Sequence, residues 1–98
     1  MNLDAFLGLR ARRDLEAAAT WYEDRRETLG NEFIYEFLLC VGRIENNSES
    51  YPLVDAEVRR ALLRRFPYAI YYSVEPTHIQ ILGILHCNQH PDSWRSRA

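Results

Sequence analysis

The stretch YAIYYSVEPTHIQILGILH, residues 68–86, decides the fold because it predicts two antiparallel strands. Over residues 68–74 one face would carry Tyr68, Ile70, Tyr72 and Val74 and the other Ala69, Tyr71 and Ser73, which is the period-two pattern of a β-strand. Residues 75–77 (Glu-Pro-Thr) predict the hairpin turn. The return segment, residues 78–86, is apolar on both alternating faces, so we expect it to lie inside a sheet. Its two faces would be Ile79, Ile81, Gly83 and Leu85, and Gln80, Leu82 and Ile84.

Three segments before this hairpin extend the prediction. Residues 58–66 (VRRALLRRF) mix arginine with apolar residues on both faces, which is typical of a strand at a sheet edge or one bent at its middle, and Pro67 ends it. Residues 46–52 are rich in Asn and Ser and predict a loop. Residues 3–9 are predicted to pair as a further strand. The chain after the loop therefore favours a β-meander.

The helical part of the chain lies between the N-terminal segment and the loop. Over residues 10–29 the apolar residues recur at helical spacing, Gly30 is expected to stop this helix, and Asn31 is a candidate N-cap for a second helix over residues 32–45. The first apolar stripe contains Ala11, Leu15, Ala18, Ala19, Tyr22 and Leu29; the second contains Phe33, Ile34, Phe37, Leu38, Cys40, Val41 and Ile44. The two helices predict an antiparallel hairpin.

The element order is thus β-α-α-β-β-β, and the fold class is α+β: a two-layer sandwich with the helices on one face of a small antiparallel sheet. We expect one domain over residues 1–98, because a chain of this length supports a single core. A short helical turn is predicted near Pro91. The second face of the sheet would remain available to a partner.

Composition narrows the class of protein. The net charge is −2, which argues against a free-standing nucleic-acid binder, but the charge is uneven: residues 1–57 carry −6 and residues 58–98 carry +4, and every basic residue is arginine. Cys40 and Cys87 make a poor disulfide framework, and Asp4 interrupts any signal-like N-terminus, so a cytoplasmic location is expected. The sequence contains no apolar run of about 20 residues, which gives a membrane role no support.

The strongest candidate site is a group of four arginines close to three tyrosines. Arginine forks grip phosphate or carboxylate, and tyrosine stacks or donates a hydrogen bond. The alternative is that these arginines pair with the acids of the helical half. The group consists of Arg59, Arg60, Arg64 and Arg65 with Tyr68, Tyr71 and Tyr72.

The C-terminal part offers weaker candidates. His86, Cys87 and His90 have the spacing of a metal motif, but zinc needs three or four ligands, and Cys40 lies on a core stripe. We therefore predict no metal site and no cofactor. His86 is alternatively a general acid or base, or a strand-end residue with a hydrogen-bonded ring. Trp94, beside Arg95, is either a lid over the sheet end or a recognition element.

Apolar residues outside the core stripes predict a partner surface. Trp21 lies at the edge of the first helical stripe, and Tyr35 and Leu39 point away from the second. Such residues are usually tolerated on a surface, but clustered they mark an interaction site.

Three motifs carry a family likeness over nearly the whole chain. They are D-L-x-x-A-x-x-W-Y-E at residues 14–23, R-R-F-P-Y-x-I-Y-Y at residues 64–72, and His86 followed by P-x-x-W-R at residues 91–95. With them the chain resembles the ParE/RelE superfamily of toxins from bacterial type II toxin–antitoxin modules. The resemblance implies a helical hairpin against an antiparallel sheet.

The resemblance implies two possible activities. RelE-like members cleave mRNA in the ribosomal A site, and here Glu57, Arg59, Arg65 and His86 would form a reduced catalytic set. ParE-like members inhibit DNA gyrase without a known covalent step. The chain has no lysine, a near-neutral charge and no tyrosine after Tyr72, which favours the ParE-like branch. A third possibility is a member that binds its antitoxin but is no longer toxic, since residues 87–90 (CNQH) replace the arginines of many relatives.

Either branch implies a cognate antitoxin that wraps the toxin in a hetero-oligomer. We expect the spare apolar residues to contact it, and its acidic groups to meet the arginine-bearing sheet edge. The predicted surface for antitoxin or target is Trp21, Tyr35, Leu39, Arg59, Arg60, Arg64, Arg65, Trp94 and Arg95.

Overall fold

A computed structural model describes residues 3–89 as two helices packed on one five-stranded sheet. The order across the sheet is β1-β5-β4-β3-β2; β1 runs parallel to β5 and the other neighbours are antiparallel. Neither described helix has the length and hydropathy that crossing a membrane requires. The elements are β1 Ala5–Leu7, α1 Leu9–Arg25, α2 Leu29–Asn46, β2 Leu53–Asp55, β3 Val58–Leu62, β4 Tyr68–Val74 and β5 Ile79–His86.

The predicted α+β class and the two-layer arrangement are confirmed. The structure adds two features. A short strand, β2, follows the predicted loop and pairs with β3, and the N-terminal strand makes the sheet mixed because it pairs in parallel with β5. The helical turn predicted near Pro91 lies outside the described residues.

The main core lies between the helices and the sheet. Burial of apolar side chains at this layer is the dominant favourable term of folding. Its largest fully buried side chains are Tyr72, Phe33, Phe37, Ile44, Ile70, Ile79 and Ile81. A smaller cluster of Val58, Ala69, Tyr71 and Leu85 lies apart from it.

β5 carries an irregularity that the simple alternation did not predict. Tyr71 pairs with Gly83, whereas its neighbour Tyr72 pairs with Ile81, so Leu82 is an extra residue on β5. The extra residue reverses the alternation beyond it. Ile84 therefore joins the main core with Ile81, and the predicted face that grouped Gly83 and Leu85 with Ile79 was wrong.

The connection between the helices also differs from the prediction. α2 begins at Leu29, and Gly30 lies in its first turn rather than ending α1. A Cβ at Gly30 would stand 2.6 Å from the Ala19 carbonyl oxygen, so glycine is required where the two helices meet. The carboxylate of Glu23 accepts hydrogen bonds from the N–H groups of Thr28 and Gly30, both at 2.9 Å. Glu23, not Asn31, thus satisfies free N–H groups at the start of α2.

Candidate interaction surfaces

A groove of about 650 Å³ runs between α1 and the ends of β4 and β5. The groove is open at α1 because the residues that line it there, Ala17 and Ala18, have small side chains. The apolar character and size of the groove match those of sites that take side chains or small ligands. Its lining comprises Asp14, Ala17, Ala18, Trp21, Tyr22, Pro67, Tyr68, Ile84, His86 and Gln89.

The floor of this groove is an edge of β5 where backbone N–H groups donate hydrogen bonds to side chains. β1 ends at Leu7, opposite Ile81, and beyond that point the Asp14 carboxylate accepts the Ile84 N–H at 3.0 Å. The Gln89 side chain accepts the His86 N–H at 2.7 Å. These two contacts occupy backbone donors that an added strand would otherwise use.

Trp21 forms the wall of the groove on α1. Its side chain is 50% exposed, and the Arg25 guanidinium lies 3.7 Å from the ring centroid, a cation–π contact. Its edge-to-face contact with Tyr22, at 5.1 Å between centroids, holds the indole in place. The exposed half of a pre-positioned indole suits it to anchor a partner.

A second apolar surface lies on the solvent face of α2. Tyr35 and Leu38 are 60% and 58% exposed, Leu39 is also exposed, and Gly42 one turn further has open space beside it. α1 meets α2 on the side of Ala19. At 100° per residue, Trp21 lies about 200° around α1 from Ala19, so it points away from α2. The structure therefore separates Trp21 from Tyr35 and Leu39, which form two surfaces rather than one.

Two of the predicted arginines hold the protein's own structure together. The Arg59 guanidinium donates to the carbonyl oxygens of Tyr51, at 2.6 Å, and Glu49, at 3.0 Å, so it fixes the loop before β2. Arg65 forms a salt bridge of 2.8 Å with Glu32 on α2, which lowers the pKa of that carboxyl. Arg26 adds a second, longer bridge to Glu32.

The other two, Arg60 and Arg64, are exposed near the outer edge of β3. Both line a cleft of about 300 Å³ to which α2 contributes a third arginine, Arg43. The four predicted arginines are thus divided: one pair is engaged internally and the other is exposed to solvent.

The residues of the alternative catalytic set lie at opposite ends of the sheet. Glu57 precedes β3, and Arg59 pairs with Tyr72 near the far end of β4. Arg65 follows β3, and His86 pairs with Tyr68 at the near end. The five residues of β3 span about 16 Å at about 3.3 Å each, and Glu57 and Arg65 lie beyond its two ends. This distance exceeds the hydrogen-bond reach that shared acid–base chemistry requires.

His86 has a structural role at the end of β5. Its Nδ1 accepts the Asn88 N–H at 2.9 Å, and its ring packs edge-on against Tyr68 at 5.1 Å between centroids. An Nδ1 that accepts this bond leaves the proton of the neutral ring on Nε2. Burial is the main cause that raises the pKa of Tyr68, so its phenol stays protonated beside the imidazole at neutral pH.

Some predicted candidates fall beyond the described chain. His90, Trp94 and Arg95 lie outside residues 3–89. Within that range no group of three or more His, Cys, Asp or Glu side chains has the arrangement to hold a metal ion. Cys40 is fully buried in the main core, as its position on the helical stripe predicts.

Sequence patterns did not assign a structural role to several residues that shape these surfaces. Asp14 carries a recognisable signal as an acid on the flank of an apolar stripe, but its Ile84 partner is 70 residues away. Arg43 is an isolated arginine in the last turn of α2, where a helix-dipole role is the simpler interpretation. Leu38 was assigned to the core stripe and is instead exposed, since α2 presents its Phe33 and Phe37 side to the sheet.

The chain matches known proteins by structure but not by sequence family. No family model and no curated protein matches the chain. A solved chain described as "Chromosomal ParDE TA system from P. aeruginosa" superposes with a TM-score of 0.71 and 20% sequence identity, over 86% of this chain and 95% of that one. Our chain therefore has the same fold as a chain of that system.

Proposed function

We propose that the chain is the toxin of a type II toxin–antitoxin pair, that it is held silent by a cognate antitoxin, and that its target is DNA gyrase. The observation that carries the proposal is the shared fold with a chain of a ParDE system over 86% of the sequence. The motifs at residues 14–23 and 64–72 support it from the sequence side.

Two exposed apolar surfaces support an antitoxin partner. Trp21 stands at a groove that accepts inserted side chains, and Tyr35, Leu38 and Leu39 form a stripe on α2 that suits an amphipathic helix. A segment that folds on binding can cover both, since such segments wrap large surfaces. Acidic groups of the same segment would meet Arg60 and Arg64 at the edge of β3.

The separation of Glu57 and Arg59 from Arg65 and His86 supports a toxin without its own catalysis. Cleavage of RNA at a 2′-hydroxyl requires a base, an acid and cations around one phosphate. Arg59 and Arg65 are already bonded to Tyr51 and Glu32. Obstruction of a larger enzyme requires only a binding surface, which a chain of this size offers.

Co-expression tests the pairing. Induced expression of the chain alone should arrest growth, and expression of the product of the adjacent reading frame should restore it and co-purify with the chain. Trp21→Ala and Tyr35→Ala should each weaken the complex about thirtyfold or more, since truncation of an aromatic hot spot costs about 2 kcal/mol or more. Leu9→Ala, at an exposed residue outside both surfaces, is the matched control. Unchanged affinity in both aromatic variants would remove the proposed interface.

A further inference from the structure

The cleft beside the outer edge of β3 is a compact, strongly basic site. It has a volume of about 300 Å³ and lies between the C-terminal part of α2, the chain before β2, and β3. Its ionisable lining is three arginines and a tyrosine, and no carboxylate of the described residues lines it. The lining is Arg43, Tyr51, Pro52, Arg60, Leu62 and Arg64.

The frame of this cleft is fixed by hydrogen bonds. The Arg60 N–H donates to the Pro52 carbonyl at 3.1 Å, and Arg59 holds the Tyr51 carbonyl at 2.6 Å. The Tyr51 ring packs edge-on against the buried Tyr72. One wall of the cleft is therefore tied to β3 and to the main core, so the site is preorganised in this part.

Within residues 3–89, the groups that line the cleft beside the arginines carry no negative charge. The buried Cys40 thiol lies next to Arg43 and donates a weak hydrogen bond to the Leu62 carbonyl at 3.8 Å. Burial raises the pKa of this thiol although Arg43 and Arg64 oppose the shift, so it remains uncharged at neutral pH. The Glu32 carboxylate on α2 already forms salt bridges with Arg26 and Arg65.

Three arginines line one small volume, which favours an oxyanion of high charge. A phosphate ester offers up to two charges and several acceptor oxygens, and arginine forks match it in bidentate geometry. A single carboxylate would leave most of the positive charge unpaired. The side chains of Tyr51 and Leu62 give the cleft an apolar margin, which suits the sugar or base that follows a phosphate.

We propose that this cleft binds the phosphate group of a nucleotide or of a nucleic-acid strand through Arg43, Arg60 and Arg64, with Tyr51 against the attached sugar or base. The site does not depend on whether the chain is a toxin. Because Arg60 and Arg64 also face the proposed antitoxin, a bound phosphate ligand and that partner would compete for them.

Titration of the full-length chain tests the site. Inorganic phosphate, a 5′-mononucleotide and a short single-stranded oligonucleotide are added in turn, with binding followed by calorimetry and by the NMR signals of the arginine Nε–H groups. We expect saturable binding that shifts the Arg43, Arg60 and Arg64 signals. Tighter binding of the mononucleotide than of the oligonucleotide would identify a nucleotide site, and the reverse order would identify a strand site.

Variants locate the binding. Arg43→Gln and Arg64→Gln should each raise the dissociation constant about tenfold, which corresponds to about 1.4 kcal/mol for one lost charged contact. Arg13→Gln, at an exposed arginine of α1 outside the cleft, should bind as the wild type does. If Arg43→Gln does not fold, as judged by thermal unfolding, Arg60→Gln at the exposed β3 position serves the same purpose.

Three results would overturn the proposal. The first is the absence of saturable binding for all three probes. The second is acetate, or a short acidic peptide, that binds as tightly as phosphate, because the cleft would then be a carboxylate site. The third is an equal loss in Arg13→Gln, which would mean binding by net charge rather than by this cleft.

Discussion

Gly30 is the residue on which the contact between α1 and α2 depends. The position where its Cβ would stand is 2.6 Å from the Ala19 carbonyl oxygen and 3.0 Å from the Glu23 carboxylate. We predict that Gly30→Ala lowers the free energy of unfolding by about 1–3 kcal/mol, because the backbone of α1 must shift to admit the methyl group. Urea denaturation measures this change.

Gly42 provides the matched control on the same helix. A Cβ there meets nothing within 4 Å, so Gly42→Ala should raise the free energy of unfolding by up to about 1 kcal/mol through helix propensity alone. Equal effects of the two substitutions would contradict the close approach of the helices at Gly30.

Tyr72 links stability to alkaline pH. Burial raises the pKa of its phenol to about 12, and the hydroxyl donates to the Ser48 carbonyl at 2.7 Å. An unfolded tyrosine has a pKa of about 10, so the folded chain keeps a proton that the unfolded chain releases. The contribution is complete below pH 10 and is lost as the pH rises toward 12.

The substitution Tyr72→Phe separates this contribution from that of other groups. We expect the substitution to lower the free energy of unfolding by about 1 kcal/mol at pH 8, because the hydrogen bond is lost. Between pH 10 and 12 the variant should lose less stability than the wild type does. Urea midpoints at pH 8 and pH 11 provide the comparison. Tyr35→Phe, at an exposed tyrosine, should follow the wild type at both pH values. Identical alkaline losses in wild type and Tyr72→Phe would disprove the assignment.

At the scale of elements, β5 depends on α1 for the completion of its edge. Asp14 accepts the Ile84 N–H where β1 no longer reaches. Asp14→Ala should destabilise the chain by about 1–3 kcal/mol, because it leaves a partly buried donor without its acceptor.

Amide hydrogen exchange at Ile84 reports on this edge directly. Exchange should be faster in Asp14→Ala than in the wild type, whereas Asp14→Asn, which keeps an acceptor oxygen, should stay close to the wild type. Unchanged protection of Ile84 in Asp14→Ala would show that the carboxylate is not its partner.

Element types followed from the sequence, but contacts between distant elements did not. Periodicity identified both helices, β4 and β5, because each pattern is local. Gly30 was interpreted as a helix stop because its reason lies in the close approach of Ala19, which is not a local signal. The extra residue at Leu82 and the short β2 depend on pairing partners, which a single strand pattern does not encode.

For the candidate surfaces too, the sequence indicated which residues are exposed but not which distant residues meet. Trp21, Tyr35 and Leu39 were identified as exposed apolar residues, and all three are exposed. Their separation into two surfaces, and the use of Arg59 and Arg65 for internal contacts, depend on how the helices lie on the sheet. Arg43 joins Arg60 and Arg64 only in three dimensions.

At the scale of the whole molecule, the structure exposes apolar residues on α1 and α2, and it places Glu57 and Arg59 apart from Arg65 and His86. We predict that His86→Ala leaves the proposed growth arrest intact, because the His86 ring is engaged at Nδ1 by the Asn88 N–H and packed on Tyr68 at the end of β5. Growth curves after induction measure this, with thermal unfolding as a check on the fold. Loss of toxicity in a folded His86→Ala variant would favour RNA cleavage.

The uneven charge of the chain bears on the proposed contact with an antitoxin. Residues 58–98 carry +4 against −6 in residues 1–57, and Arg60 and Arg64 place part of the positive charge at a sheet edge. Electrostatic steering of an acidic partner toward this edge should weaken with salt. The association rate with the proposed antitoxin should therefore fall as the ionic strength rises, and by less in an Arg60→Gln, Arg64→Gln double variant. A rate independent of salt would exclude the edge as the first point of contact.

The most direct test of the proposed function is a DNA supercoiling assay with purified gyrase and the purified chain, run beside a ribosome-programmed mRNA cleavage assay. We predict inhibition of supercoiling that the adjacent-frame product reverses, with the mRNA left intact. Cleavage of the mRNA with gyrase unaffected would contradict the account.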